Sequence, residues 1–395
     1  MRTVYLDNNA TTMVAPEAVE AMRPLWCDLY GNASSMHSFG GQVASYITGA
    51  REQVAALVGA DPAEIVFTSG GSESDNLAIK GTLDAFDGAK RHVVTTRVEH
   101  PAVLGLVRHL SQRGYRVTEL PVDPDGSLDL GLLDRSITPD TAIVSVMWAN
   151  NETGVVFPIP QIADIVKSRG VVFHTDAVQA AGKMPIDLAK VPVDLLSISG
   201  HKLHAPKGIG VLYVRKGTRL MPQVIGGHHE SNRRAGTENV PGIVGLGMAA
   251  ELARAQLPNE HRITALRDRL EAGILASCPG VRINGANRLP NTLNVSFEFV
   301  EGEAILLMLD DLGIAASSGS ACASGSLQPS HVLRAMGVPF TFAHGSIRFS
   351  LSRYTTGEEI DFVLRHLPGI IERLREISPF AKDGEFERAL AADHV

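Results

Sequence analysis

The sequence predicts an α/β fold, with a large domain on a mostly parallel sheet and a smaller C-terminal α+β domain. Two observations predict it. From residue 40 to about 255, helical apolar periods alternate with short apolar runs; after Leu257-Pro258 the runs become strictly alternating. The large domain is set at residues 13–258, and the smaller one at 1–12 together with 259–395.

The first long helix lies in QVASYITGAREQVAALVG, where Val43, Ile47, Ala50, Val54, Leu57 and Val58 form one apolar stripe and Gly59 ends it. Five buried strands follow in EIVFTS, HVVTT, AIVSVMW, VVFHTD and DLLSIS, each short and rich in β-branched or large apolar residues. Each runs into polar residues. In open α/β sheets ligands sit beyond the carboxyl ends of the strands, so these five tails are expected to converge on one pocket.

Beyond Pro258, Ile263, Leu266, Leu270 and Ile274 share a helical face, and Leu293, Val295, Phe297 and Phe299 alternate in TLNVSFEF. That alternation predicts a half-exposed antiparallel sheet. A helix in EAILLMLDDLG, a loop SSGSACASGS and a second alternating strand IRFSLS come next. Ile347, Phe349 and Leu351 face one way, which turns Arg348 away from the core. The last helix opens on the capping box Thr356-x-x-Glu359 and is expected to be interrupted at Pro368.

Composition narrows the function. A chain of 395 residues, 44% hydrophobic and 20% charged, has the make-up of a soluble globular protein. Its formal charge of -7 with no long basic block speaks against nucleic acid or an anionic membrane as partner. The three cysteines, Cys27, Cys278 and Cys322, are distant and odd in number, which fits a reducing compartment, the cytoplasm by default. MRTVYLDNNATT lacks the apolar core of a signal peptide, and no segment approaches the ~20 apolar residues of a membrane span.

Three strand ends carry chemistry. In SISGHKLHAPKGIG, Lys202 follows a strand and precedes a glycine-rich run, which suits a Schiff-base lysine as well as an ordinary surface lysine. In VVFHTDAVQ, Asp176 either offers a carboxylate to a cationic ring nitrogen or caps a helix in AVQAA. In FTSGGSESDNLAIKG, a glycine turn opens a helix whose free N–H groups suit a phosphate, or is a generic strand-to-helix turn. Together, a phosphate seat, a carboxylate and an amine describe pyridoxal 5'-phosphate.

The chain also resembles the NifS-type (nitrogen-fixation class) cysteine desulfurases, fold-type I pyridoxal-phosphate enzymes. The likeness runs through YLDNNATT, FGNASSMHSFG, TRVEHPAV, SVMWANNETG, FHTDAVQ, SGHKLHAPKGIG, RRAGTEN, SSGSACASGS and AHGSIRFSLSRYT. It departs at Ser72 and Ala323, where relatives carry threonine.

The resemblance implies that Lys202 holds the cofactor as an internal aldimine, Asp176 pairs with the ring nitrogen and His100 covers the ring face. It places Asn151 and Gln179 on the ring hydroxyl, Asn151 also at the substrate, and Gly71, Ser72, Ser199, Gly200 and His201 around the phosphate. Thr237 would reach that phosphate from a second subunit, which makes a homodimer. Arg348 would bind the carboxylate of L-cysteine through its guanidinium fork. Cys322, on a mobile loop of small residues, would take the sulfur as a persulfide, release L-alanine and pass the sulfur to an acceptor or scaffold protein for iron-sulfur assembly, with nitrogenase the expected destination. An iron-sulfur fragment would sit on Cys322 only in passing.

Cys27 and Cys278 read as packing residues, and the adjacent His228-His229-Glu230 lacks metal-ligand spacing. Rival readings are an aminotransferase or selenocysteine lyase of the same fold, a sulfur carrier without catalysis, and a cysteine-histidine hydrolase. The hydrolase would leave Lys202 without a task.

Overall fold

The computed structural model describes residues 3–318 and 329–378. A short strand β1 (Val4–Tyr5) and the helix Ser38–Val58 precede seven strands: β2 (Ile65–Thr68), β3 (His92–Thr96), β4 (Arg116–Leu120), β5 (Thr141–Ser145), β6 (Val172–Asp176), β7 (Leu195–Ser199) and β8 (Gly210–Val214). These form one sheet in the order β2-β8-β7-β6-β5-β3-β4. It is mostly parallel. Only β8 runs against its neighbours, β2 and β7.

All five strands expected from the sequence are present, and β4 and β8 are additional. Residues 116–120 hide at the sheet edge, where partial exposure blurs the apolar signal. Residues 210–214 lie directly behind the glycine-rich lysine segment, whose composition masks a strand start.

Successive residues of the strands enter opposite cores. Val94, Val144, Phe173 and Leu196 pack on one face with Val54, Val58 and Ile162, while Val93, Ile143 and Leu195 pack on the other with Leu77, Ile79 and Val107. Because helices cover both faces, the strands read as unbroken apolar runs. Gly59 ends the first long helix in the left-handed region at φ 65°, a conformation that costs glycine nothing.

The remaining strands are β9 (Val281–Ile283), β10 (Thr292–Phe297), β11 (Ile314–Ala315) and β12 (Ser346–Ser350). β10 lies between β9 and β12, antiparallel to both, and β1 pairs in parallel with β11. Leu293, Val295, Phe297, Ile347 and Phe349 share a separate core with Ile263, Leu270 and Ile274 of the helix Glu260–Ser277, and with Val4 and Leu6.

Two expectations for this region are corrected. The alternating sheet is not half-exposed: every residue of β10 and β12 is buried. Its polar face packs on other backbone, where Asn9 donates through Nδ2 to Thr292 Oγ1 (2.9 Å), Asn8 to the Ser350 carbonyl (2.9 Å), and Asn294 to the Glu152 carbonyl (3.2 Å). Alternation reports which residues can bond, and water is not the sole partner that satisfies them.

The last helix, Gly357–Ile377, keeps its Thr356/Glu359 capping box but runs on through Pro368. Burial of Ile360, Val363, Leu367, Ile370, Ile371 and Leu374 on one face, on both sides of the proline, offsets the roughly 3 kcal/mol that an interior proline costs.

Candidate active site

A cavity of about 260 Å³ opens at the carboxyl ends of the parallel strands. The chain delivers groups to it after β2, β3, β5, β6 and β7. Gly71 and Ser72 follow β2, His100 follows β3, Asn151 follows β5, Asp176 ends β6, Gln179 follows it, and Ser199, His201 and Lys202 lie at the end of β7; all line the cavity, and Arg348 of β12 reaches it from the other sheet.

Lys202 Nζ donates to the carbonyls of Asn9 and Ala10, 2.6 Å from each. The segment YLDNNATT therefore forms the wall facing the amine. Asp176 is 5% exposed, and burial pushes its carboxyl up to about 6, opposed by the Val178 amide at 2.9 Å and by the Lys202 charge. Among the described residues it makes no ion pair. No helix forms in AVQAA; the Asp176 side chain closes a turn on Val178 instead.

His100 caps the helix Pro101–Gln112: the Ala102 amide donates to its Nδ1 at 3.1 Å. The proton of the neutral ring therefore sits on Nε2. Burial, then the charges of Lys202 and His331, pull His100 down to about 4. In the cofactor-free chain, labelled histidine resonances of His100 should stay those of the neutral Nε2–H tautomer down to about pH 5.5, well below the usual titration near ~6.5. The folded pKa is depressed, so the stability it brings is present above ~6.5 and fades as pH falls toward 4. A titration midpoint above about 6 would contradict this geometry.

The phosphate end fits its expected ligand. The 15-residue helix Gly71–Ala85 starts at the cavity, and a Cβ on Gly71 would lie 2.9 Å from Val178 Cγ2, so glycine alone lets its backbone approach. Ser199 and His201 stand beside it, His201 bonded to Thr11 Oγ1 at 3.1 Å. A buried carboxylate with no ion pair among the described residues, an amine and a helix N-terminus around one cavity match the ring nitrogen, aldehyde and phosphate of pyridoxal phosphate.

Arg348 is 3% exposed, donating from one terminal nitrogen to the Asn151 carbonyl (3.0 Å) and from the other to Asp7 (2.7 Å). Its buried Nε has no hydrogen-bond partner among the described residues. Arg348 thus lines the cavity with its guanidinium already engaged by Asp7.

Among the described residues, two expected ones are not on the wall. Gly200 is not among the lining residues, and a Cβ there would meet Ile209 Cγ2 at 2.8 Å, so the tight packing under the β7 end requires glycine. Thr237 is exposed on the loop before the helix Val240–Gln256, away from its own chain's cavity. Cys322 lies outside the described residues. The flanks of its segment are tied to the site: Ser317 pairs with the backbone of Arg348, Ser330 Oγ bonds Glu152, and His331 Nε2 lies 3.1 Å from the Glu99 carbonyl.

The sequence reading missed Asn9, Ala10, Asp75 and Met147 on this wall. Asp75 is buried one helical turn from Gly71, 3.5 Å from His174 Nε2, and burial together with Asp176 holds its carboxyl well above the usual range. Its position on the inner face of the helix that carries the glycine turn was the available signal. Of the remaining thiols, Cys278 is buried as expected, but Cys27 is exposed, because the short helix Pro24–Cys27 turns Leu25 alone inward. Glu230 is engaged by Arg51 at 2.8 Å, and among the described residues no cluster of three metal-ligating side chains occurs.

Comparison with known proteins places this geometry. Residues 4–363 match the family described as aminotransferase class-V. A cysteine desulfurase of Trichormus azollae is 59% identical over 386 residues, covering 97% of this chain and 96% of that one. The cysteine desulfurase NifS of Azotobacter vinelandii is 57% identical over 384 residues, covering 96% and 95%. A solved structure described as a NifS-like protein superposes with a TM-score of 0.89 at 40% identity, covering 94% of this chain and all of the other. Shared sequence across nearly the full length, on the same fold, gives one conclusion: the chain belongs to the aminotransferase class-V family and, within it, to the pyridoxal-phosphate-dependent cysteine desulfurases of the NifS type.

Proposed function

We propose that this cysteine desulfurase works through one cavity served by both sheets, with Cys322 as the group that takes sulfur from L-cysteine. The observation that carries the reading is the convergence of Lys202, Asp176, His100 and Arg348 on that cavity, beside both flanks of the segment bearing Cys322. When bound, pyridoxal phosphate supplies an electron sink that weakens the substrate's carbon–sulfur bond.

Each residue has a task its environment supports. Lys202 holds the cofactor covalently, and Asp176 keeps the ring nitrogen charged because burial leaves its carboxylate in need of a cation. His100, neutral and protonated on Nε2, stacks on the ring and moves protons at that atom. Asn151 and Gln179 serve the ring hydroxyl, with Asn151 also at the substrate. The amides and hydroxyls at Gly71, Ser72, Ser199 and Gly200, together with His201, seat the phosphate, joined by Thr237 of a second copy. Arg348 orients the substrate carboxylate.

The Cys322 thiolate attacks the substrate sulfur, forming a sulfur–sulfur bond as the carbon–sulfur bond breaks; the released electron pair is left to the carbon, which takes up a proton, so L-alanine departs and a persulfide stays on Cys322. An acceptor or scaffold protein then takes it for iron-sulfur assembly serving nitrogenase, with an iron-sulfur fragment passing transiently. We assign the large domain to residues 13–258 and the small one to 1–12 with 259–395, and place the homodimer in the cytoplasm. Among the described residues, no helix is long and apolar enough to cross a membrane.

The test is to supply L-cysteine and a reducing thiol and count both products. Alanine and sulfide should appear in equal amounts with no keto acid required. Dependence on a keto-acid acceptor would favour a transaminase, and neither product would reject the assignment.

A further inference from the structure

Lys183 belongs to no role assigned above, yet it stands one residue behind the cavity wall. Its Nζ donates to Gln179 Oε1 at 2.6 Å and to Asn9 Oδ1 at 3.1 Å. Gln179 Nε2 donates to the Asn9 carbonyl at 3.0 Å, the same oxygen that Lys202 Nζ approaches at 2.6 Å. Lys183, Gln179, Asn9 and Lys202 thus form one connected network.

A protonated lysine has donors and no acceptor, while a carbonyl only accepts, so it is the ammonium form of Lys183 that fixes what lies between them. Between the two, the Gln179 amide has a single orientation: Oε1 must face Lys183 and Nε2 must face Asn9. One N–H of Nε2 is used on the Asn9 carbonyl, and Gln179 lines the cavity, so what it can present there is its second N–H. A glutamine without this clamp could invert and present a carbonyl instead.

We propose that Lys183 is a positioning residue that locks Gln179 as a hydrogen-bond donor toward the ring oxygen of the bound cofactor. The inference rests on the cofactor reading above, in which Gln179 serves that oxygen. Part of the Lys183 surface remains accessible, but its ammonium is enclosed, and burial with the charges of Lys202 and Arg348 pulls it down to about 7. Glu260 of the helix Glu260–Ser277 is the carboxylate that faces it, and the imidazoles of His201 and His204 are the other titratable neighbours. Among the described residues no carboxylate forms an ion pair with Lys183, which leaves its N–H groups for Gln179 and Asn9.

The readout is the visible band of the holoenzyme as a function of pH. A donor to the ring oxygen stabilises negative charge there, so the proton shared between that oxygen and the Lys202 linkage leaves at lower pH. Lys183→Met should raise the midpoint of the spectral transition by about one unit, a tenfold change in proton affinity that corresponds to one hydrogen bond to a charged group. Gln179→Leu should raise it at least as far, and adding Lys183→Met to Gln179→Leu should add less than about 0.3 units.

An unshifted midpoint in Lys183→Met would overturn the proposal. So would a shift that persists in full on the Gln179→Leu background, because Lys183 would then act by its charge alone. If the methionine variant fails to fold, Lys183→Gln gives the same decision: its amide both donates and accepts, releases the lock, and should shift the midpoint in the same direction. A wild-type chain with no visible band would overturn the cofactor reading itself.

Discussion

Lys202→Ala should leave a folded protein that no longer holds its cofactor covalently and turns over cysteine at least ~10³-fold more slowly, a loss of about 4 kcal/mol in the transition state. Among the described residues the amine donates to the carbonyls of Asn9 and Ala10 at the cavity wall, 2.6 Å from each, and water can replace these bonds when the side chain is removed. Stability should therefore change by no more than about 1–2 kcal/mol. Borohydride treatment followed by mass measurement checks the linkage: wild type should gain a reduced adduct on Lys202, and the variant none. A variant that still traps the adduct and keeps full turnover would remove the basis of the mechanism.

Cys322→Ala should separate the two halves of the reaction. Its visible band should match wild type, and cysteine should still perturb that band, because Lys202, Asp176 and the helix start at Gly71, the groups proposed to hold the cofactor, are untouched. Sulfide release should fall by ~10³-fold or more, since the sulfur atom loses its attacking thiolate. The other two thiols provide controls. Cys278 is buried, and burial raises its thiol above the usual range, which suppresses the thiolate needed for attack. Cys27 is exposed on the helix Pro24–Cys27, far along the chain from every strand end that builds the site. Cys27→Ser should retain full sulfide production, and undiminished turnover in Cys322→Ala would reject the sulfur-carrier role.

Much of the architecture was legible because burial writes itself into periodicity. The stripe from Val43 to Val58 and the runs at 65–68, 172–176 and 195–199 each announce an element whose apolar faces need cover. The strands at 116–120 and 210–214 escaped for opposite reasons: one is too exposed to look like the others, and one is hidden behind glycines. The run through Pro368 escaped because local propensity argues for a break while six buried side chains on the same helix argue against it.

Within the site, residues just after strands were predictable, since the carboxyl end of a parallel sheet is where a ligand sits. Asn9, Ala10 and Lys183 were not, because the network that joins them to Lys202 and Gln179 links positions as far apart as 193 in sequence.

The sequence by itself determined the layered α/β plan, the chemical identity of the groups at each strand end and the family to which they correspond. The tertiary structure alone decided that the polar face of β10 and β12 is buried against the 7–9 segment, that Arg348 already shares its guanidinium with Asp7, and that Asp176 is buried with no ion pair among the described residues. The physical reason is one of range. Periodicity and strand order act between neighbours in the chain, whereas desolvation and hydrogen-bond partnership depend on which distant segments fill the space around a group.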